Sequence, residues 1–163
     1  MKGVQAYYAE DWEACVHSLE VSMEEFFIEE EKCRRICEDK LDWETIEGIN
    51  PEIAIVLTSV YVSVLRCKNA CAVKLSKVNG HQIGAILPSY FEYLHICQYK
   101  LNRGRDTCQS VANSILLNPS NSIMRRNRLF YSKKYDKEDL FQPSEVNLSI
   151  RSVQKNGSSF DNS

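Results

Sequence analysis

Residues 88–119 read PSYFEYLHICQYKLNRGRDTCQSVANSILLNP, and the fold is decided there. Past Pro88, the residues Phe91, Leu94, Cys97 or Gln98, and Leu101 recur at three-to-four spacing, which predicts a helix ending before Asn102-Arg103-Gly104. A second helix, over about 105–117, follows at once and closes at Asn118-Pro119-Ser120-Asn121. Two short helices folded back around one glycine form a hairpin, and its apolar faces need further partners.

Such a hairpin is how a tetratricopeptide unit reads, and a unit of that kind requires stacked neighbours. Working outward, residues 11–40 read as one long helix, with Asp11 as N-cap and Val16, Leu19, Met23, Phe26 and Phe27 on its apolar spacing. Val4, Tyr7 and Tyr8 look like the end of a preceding helix, and Ala9-Glu10-Asp11 like the turn. Asp11-Trp12-Glu13 with Leu19-Glu20 reads as an earlier hairpin of the same type. After a connector holding Trp43, Gly48 and Asn50, Pro51 opens a second long helix. Its stripe Ile53, Val56, Leu57, Val60, Tyr61, Val64, Leu65, Cys71 and Leu75 carries it to about Val78, and Asn79-Gly80 supplies the stop. A fifth helix spans Ile123 to Tyr135. The expected architecture is all-α: tetratricopeptide-like hairpins whose long helices are cross-linked by CxxxC cysteines. A helical repeat domain covers residues 1–143, beginning inside a hairpin and so incomplete at its N-terminus. Residues 144–163, rich in Ser, Asn, Lys and Gly, read as a disordered tail, and both Asn147-Leu148-Ser149 and Asn156-Gly157-Ser158 match the glycosylation sequon.

The 163 residues suffice for one domain, and a net charge of -2 gives no drive toward phosphate backbones or anionic lipid. Charge is uneven: residues 10–47 hold fourteen Asp and Glu against four Lys and Arg, and residues 100–137 hold nine basic against two acidic residues. Solvated faces of opposite sign account for this. The longest apolar stretches, Ile53 to Leu57 and Val60 to Leu65, fall short of the roughly 20 residues of a membrane span. The first ten residues reach charge at once and lack the apolar core of a signal peptide, which taken literally predicts a cytosolic protein. Seven ordered cysteines argue for an oxidising compartment instead, and a targeting signal upstream of Met1 reconciles the two.

The cysteines form a pattern. Cys33-Arg34-Arg35-Ile36-Cys37 and Cys67-Lys68-Asn69-Ala70-Cys71 each place two thiols one turn apart on one helix face. A bond within either motif is disfavoured, because i and i+4 β-carbons lie roughly 6 Å apart against about 3.8 Å in a disulfide. Facing helices that run antiparallel give the expected bridges, Cys33–Cys71 and Cys37–Cys67; should the helices run parallel instead, Cys33–Cys67 and Cys37–Cys71 would follow. Cys97 and Cys108 flank the Gly104 turn and are expected to form a third bridge, leaving Cys15 a buried free thiol. A Cys₄ zinc site and a set of reduced core cysteines are the competing readings. The twin CxxxC motifs of small mitochondrial intermembrane-space chaperones are much closer together than these.

Catalytic constellations are wanting. His17, His81 and His95 belong to no HxD, HExxH or phosphate-loop pattern and read as two helix residues and one loop residue. Glu24-Glu25 and Glu29-Glu30-Glu31 point in different directions on a helix and read as a solvated face rather than a cation site. The Tyr and Arg residues of 124–135 fit a capping helix with buried Met124, Leu129 and Tyr131 better than an RNA-stacking surface. Neither a catalytic residue, a cofactor-binding residue nor a metal ligand is expected.

Taken together, these motifs resemble the N-terminal helical domain of the leprecan family, which comprises prolyl 3-hydroxylases and cartilage-associated protein. The residues that carry the resemblance are Tyr7-Tyr8, Asp11-Trp12-Glu13, the two CxxxC motifs with Leu65-Arg66 before the second, and Leu87-Pro88-Ser89-Tyr90-Phe91-Glu92-Tyr93-Leu94. Tyr99-Lys100-Leu101-Asn102, Asn118-Pro119-Ser120-Asn121, Met124, Asn127 and Phe141-Gln142-Pro143 complete it over about residues 5–143. The resemblance implies residence in the endoplasmic reticulum and binding of unfolded procollagen chains. It also implies assembly with a prolyl 3-hydroxylase subunit and cyclophilin B. In the family's enzymes a separate C-terminal domain binds iron and 2-oxoglutarate through His, Asp and His. This sequence contains no counterpart of that domain and no KDEL-like ending, so the expected role is a non-catalytic scaffold of collagen modification.

Overall fold

The computed structural model describes residues 2–39, 51–75, 77–78, 81–82 and 86–158. The helices are α1 (Lys2–Tyr8), α2 (Trp12–Glu38), α3 (Pro51–Leu75), α4 (Ile86–Lys100), α5 (Gly104–Leu117), α6 (Ser122–Tyr135) and α7 (Glu145–Ser158). A minimal antiparallel pair, β1 (Lys77–Val78) and β2 (His81–Gln82), follows α3. It places His81 opposite Val78, in a paired strand rather than a loop. The expected connector at Trp43 and the Asn79-Gly80 stop lie outside the described residues. The chain divides into two compact units, Met1–Glu25 with Gly84–Arg151, and Phe26–Ile83 with Ser152–Ser163.

The first unit is built of hairpins, as the sequence predicts. Glu10 takes a left-handed conformation (φ 58°) between α1 and α2. Asp11 then caps α2, its Oδ1 accepting from Ala14 N at 3.1 Å. Gly3 makes this hairpin close, since a Cβ there would sit 2.6 Å from Leu19 Cγ. Between α4 and α5 the left-handed residue is Asn102 (φ 58°), an αL-tolerant type, and Arg103 N donates to Gln98 O at 2.9 Å. Ser110 Oγ donates to Gln98 Oε1 at 2.8 Å, satisfying two buried polar groups across the hairpin. Asn121 caps α6 by accepting from Ile123 N and Met124 N, and its Nδ2 reaches Glu92 Oε1 on α4 at 2.6 Å. Cys108, Val111, Ala112, Met124, Tyr131 and Phe141 form the core of this end, with Tyr99, Ile115, Tyr135 and Leu140 against it. Leu129, expected to be buried, is instead 65% exposed, because Met124 and Tyr131 take the inward face of α6.

The chain past Phe141 differs from the expected tail. A short 3-10 turn, Glu138–Leu140, leads into α7, where Asn147 and Ile150 are buried. Ser144 N donates to Asn113 Oδ1 at 2.9 Å, and Asn147 Nδ2 to Ser144 Oγ at 2.7 Å. Two anchoring positions three residues apart are enough to fix one helical turn on a preformed surface, too short a pattern to register as periodicity.

In the second unit, α3 pairs with the C-terminal part of α2 through its own C-terminal part. Cys67 lies sixteen residues into α3, so α3 runs on for roughly 24 Å beyond the level of Cys37. On that stretch Ile55 is 73% exposed, with Val56 and Tyr61 also on the surface. The segment Ile55–Leu75 is long and apolar enough, by length and composition, to cross a membrane. Thr58, Ser59 and Ser63 punctuate the stretch, so no single apolar run in the sequence is long enough to announce it. Two bridges to α2 oppose such a placement, since they would carry Glu30, Glu31 and Glu38 to bilayer depth.

Candidate functional site: the paired CxxxC bridges

The thiols of the two motifs meet because α2 and α3 run antiparallel where they touch. Cys33 bonds Cys71 (Cα–Cα 5.9 Å) and Cys37 bonds Cys67 (Cα–Cα 5.8 Å), within the spacing disulfides require. The parallel pairing is excluded. One helical turn separates the two bonds, which bring Cys37 Sγ within 3.9 Å of Cys71 Sγ. Cys37 and Cys71 are buried. The sulfurs of Cys33, Cys37 and Cys71 lie within 4.8 Å of one another, close enough to share an ion. With the sulfurs paired in disulfides, no thiolate is left to serve as ligand.

Charged groups clamp the bridges from outside. Glu38 and Lys68, each one residue beyond a cysteine of the Cys37–Cys67 bond, form a cross-helix ion pair that lowers the Glu38 pKa. Glu30 is buried and its pKa is raised, desolvation outweighing the Arg34 guanidinium bonded to it at 2.8 Å. Lys32 and Arg35 pair with Glu29 and Glu31 at the surface, so most of the acidic run is the solvated face expected. A cavity of about 280 Å³ opens beside the Cys37–Cys67 bond, lined by Ser59, Val60, Ser63 and Val64 with those two cysteines.

The third bridge corrects the sequence reading. Cys97 bonds Cys15, not Cys108, linking α4 to α2 at a Cα–Cα distance of 6.3 Å. Seven and four residues from Gly104 correspond to heights of roughly 10 and 6 Å along the hairpin, so Cys97 and Cys108 are not level. Cys108 packs instead with Val111, Met124 and Tyr131 as a buried free thiol, its pKa pushed up to about 11 by burial. Of the six expected disulfide cysteines, Cys33, Cys37, Cys67 and Cys71 come together, Cys97 takes another partner and Cys108 takes none. Cys15, expected to be a buried free thiol, is buried but bonded; its apolar helix position signals the burial and not the partner.

His17 and His95 lie on helices as read, whereas His81 lies in the β1–β2 pair. His17 is exposed on α2. His95 is buried on α4 between Tyr131 OH at 3.1 Å from Nδ1 and Asn127 Nδ2 at 3.3 Å from Nε2. Desolvation lowers its pKa to about 4, so it is a neutral packing group and not a titrating base.

Comparison with known proteins agrees with this geometry. The family model of the leprecan TPR-like repeat region matches residues 1–135. Prolyl 3-hydroxylase 1 of Gallus gallus is 28% identical over 157 residues, covering 94% of this chain and 22% of that protein. Cartilage-associated protein of Mus musculus is 26% identical over 88% of this chain and 36% of its own length. Endoplasmic reticulum protein SC65 of Homo sapiens is 25% identical over 89% of this chain and 33% of its length. The chain thus spans only about a fifth to a third of these relatives. Helical hairpins, cross-linked CxxxC motifs and a family match over residues 1–135 lead to one assignment: the chain belongs to the leprecan family, within its tetratricopeptide-like repeat region.

Proposed function

We propose that this chain is a non-catalytic scaffold of the collagen prolyl 3-hydroxylation machinery in the endoplasmic reticulum, binding unfolded procollagen and partner subunits. The observation that carries the reading is the pair of CxxxC bridges. Three disulfides in a chain of this size belong to an oxidising compartment, and relatives named for prolyl hydroxylation, cartilage and the endoplasmic reticulum share the region. A helical array held rigid by covalent ties suits presentation of a fixed surface to an unfolded chain. By family resemblance, the partner subunits are a prolyl 3-hydroxylase and cyclophilin B.

A second reading is favoured by the prolyl 3-hydroxylase 1 relatives, of which the chain spans 22% or less. On it, the chain is the repeat region of an enzyme whose iron- and 2-oxoglutarate-binding domain lies in further sequence; an HxD with a distal His downstream would establish it. A generic tetratricopeptide adaptor in a reducing compartment, the third alternative, predicts seven free thiols. Alkylation of the native-source protein without reductant, read by mass spectrometry, tests the compartment: one alkylated cysteine after denaturation is expected, and seven would refute the secretory reading. Retention on immobilised heat-denatured collagen, but not on triple-helical collagen, tests the binding role.

A further inference from the structure

Four sulfurs converge in the unit that holds Phe26–Ile83, and two disulfides do not exhaust what that convergence can do. The Sγ atoms of Cys33, Cys37 and Cys71 lie within 4.8 Å of one another, and Cys67 Sγ is bonded to Cys37 Sγ. The Cys37 and Cys71 sulfurs, which belong to different bridges, are 3.9 Å apart. A single ion held by four thiolates at about 2.3 Å sets its sulfurs about 3.8 Å apart, the edge of a regular tetrahedron. Two sulfurs with no bond between them thus already stand at that spacing. Cys37 and Cys71 are buried and Cys33 and Cys67 half-buried, so the protein shields most of the centre from water. The cavity of about 280 Å³ that opens beside Cys37 and Cys67 gives an ion a way in.

We propose that reduction converts the twin CxxxC motifs into a tetrahedral zinc site with Cys33, Cys37, Cys67 and Cys71 as its ligands, which goes beyond the scaffold reading and does not depend on it. Two equivalents of a dithiol supply the four electrons and four protons that open both bridges, and leave as two cyclic disulfides. One Zn²⁺ then displaces the four thiol protons and forms a dianionic tetrathiolate. Breaking the bonds lets Cys33 part from Cys71, and Cys37 from Cys67, to the spacing that Cys37 and Cys71 already hold. The helices need not separate for this, because the i and i+4 thiols of each motif share one face and the two faces oppose. The donor set selects the ion. Calcium and magnesium take oxygen ligands, and an iron–sulfur cluster interposes several metal and sulfide atoms between its cysteines, a wider spread than these sulfurs have. Four thiolates around one centre are a zinc set. Zinc in that place holds α2 and α3 together by coordinate bonds when the covalent ties are lost.

The test reduces the full chain with excess dithiol, removes the dithiol by gel filtration under argon, adds zinc and counts the metal that survives a second column by plasma mass spectrometry. One zinc per reduced chain is expected, and none on the disulfide-bonded chain. Co²⁺ in place of zinc should give the intense visible absorption of a tetrahedral tetrathiolate, a readout that needs no variant. Cys37→Ser/Cys67→Ser, which removes half of the ligands, is expected to carry no zinc through the column. Cys15→Ala/Cys97→Ala/Cys108→Ala, which removes the remaining three thiols, is expected to carry one. Zinc should also raise the melting temperature of the reduced wild type and leave that of Cys37→Ser/Cys67→Ser unchanged. Reduced wild type that retains no zinc overturns the proposal, as does a cobalt spectrum of octahedral form. Equal zinc retention by Cys37→Ser/Cys67→Ser, or by the disulfide-bonded chain, overturns it too.

Discussion

Replacing both cysteines of the Cys15–Cys97 bridge (C15A/C97A) tests the correction that the structure makes to the sequence reading. The bond closes a loop with a sequence separation of 82 residues. Because the Cys33–Cys71 bond stays closed and shortens that loop, the chain-entropy relation assigns it about 4 kcal/mol, against about 2.8 kcal/mol for a loop joining residues 97 and 108. Both cysteines are fully buried, so alanine leaves only a small cavity, and the entropic contribution dominates. Urea unfolding under non-reducing conditions, followed by far-UV circular dichroism, measures it. C15A/C97A is expected to lose about 3–5 kcal/mol, with a lower midpoint and a slightly larger m-value, since the untied denatured chain exposes more surface. The pattern among single variants discriminates further. If Cys15 is the partner, C15A and C97A each cost about as much as the pair while C108A costs only a packing defect; if Cys108 is the partner, C97A and C108A match and C15A is mild. The second pattern, or a C15A/C97A loss below about 1 kcal/mol, would refute the reasoning.

Four further outcomes are expected. Because the folded pKa of His95 falls to about 4 from 6.5, its contribution is present above pH 6.5 and is lost as pH falls through that window toward 4; this amounts to about 3 kcal/mol, and urea midpoints across pH should flatten there in His95→Gln. Gly3→Ala forces a Cβ onto the Leu19 side chain and should lower stability by about 1–3 kcal/mol, read as a shift in melting temperature. Asn121→Ala removes the cap of α6 and its bond to Glu92 and should cost about 1–2 kcal/mol in the same assay. Glycopeptide mapping should find Asn147 unmodified in folded protein, because its side chain is buried and bonded to Ser144; a glycan there would contradict the packing of α7.

The helices and their hairpins were legible because the signals are local. Apolar spacing, Asp11 and Asn121 as caps, and the breaks at Asn102 and Pro119 each act within a turn or two of chain. The CxxxC pairing was legible: spacing put both thiols of a motif on one face, an antiparallel approach gave Cys33–Cys71 and Cys37–Cys67, and the run of α3 against α2 bears that out. α7 was missed because two buried positions carry no readable period.

The sequence by itself determined that this protein is a stack of helical hairpins with thiols poised on helix faces, since periodicity, capping and turn chemistry are properties of short segments. That Cys97 meets Cys15, and that Cys108 stays free, were decided by the tertiary structure alone. Those facts depend on the relative height and rotation of packed helices, which set contacts between residues far apart in the chain and leave no trace in local spacing.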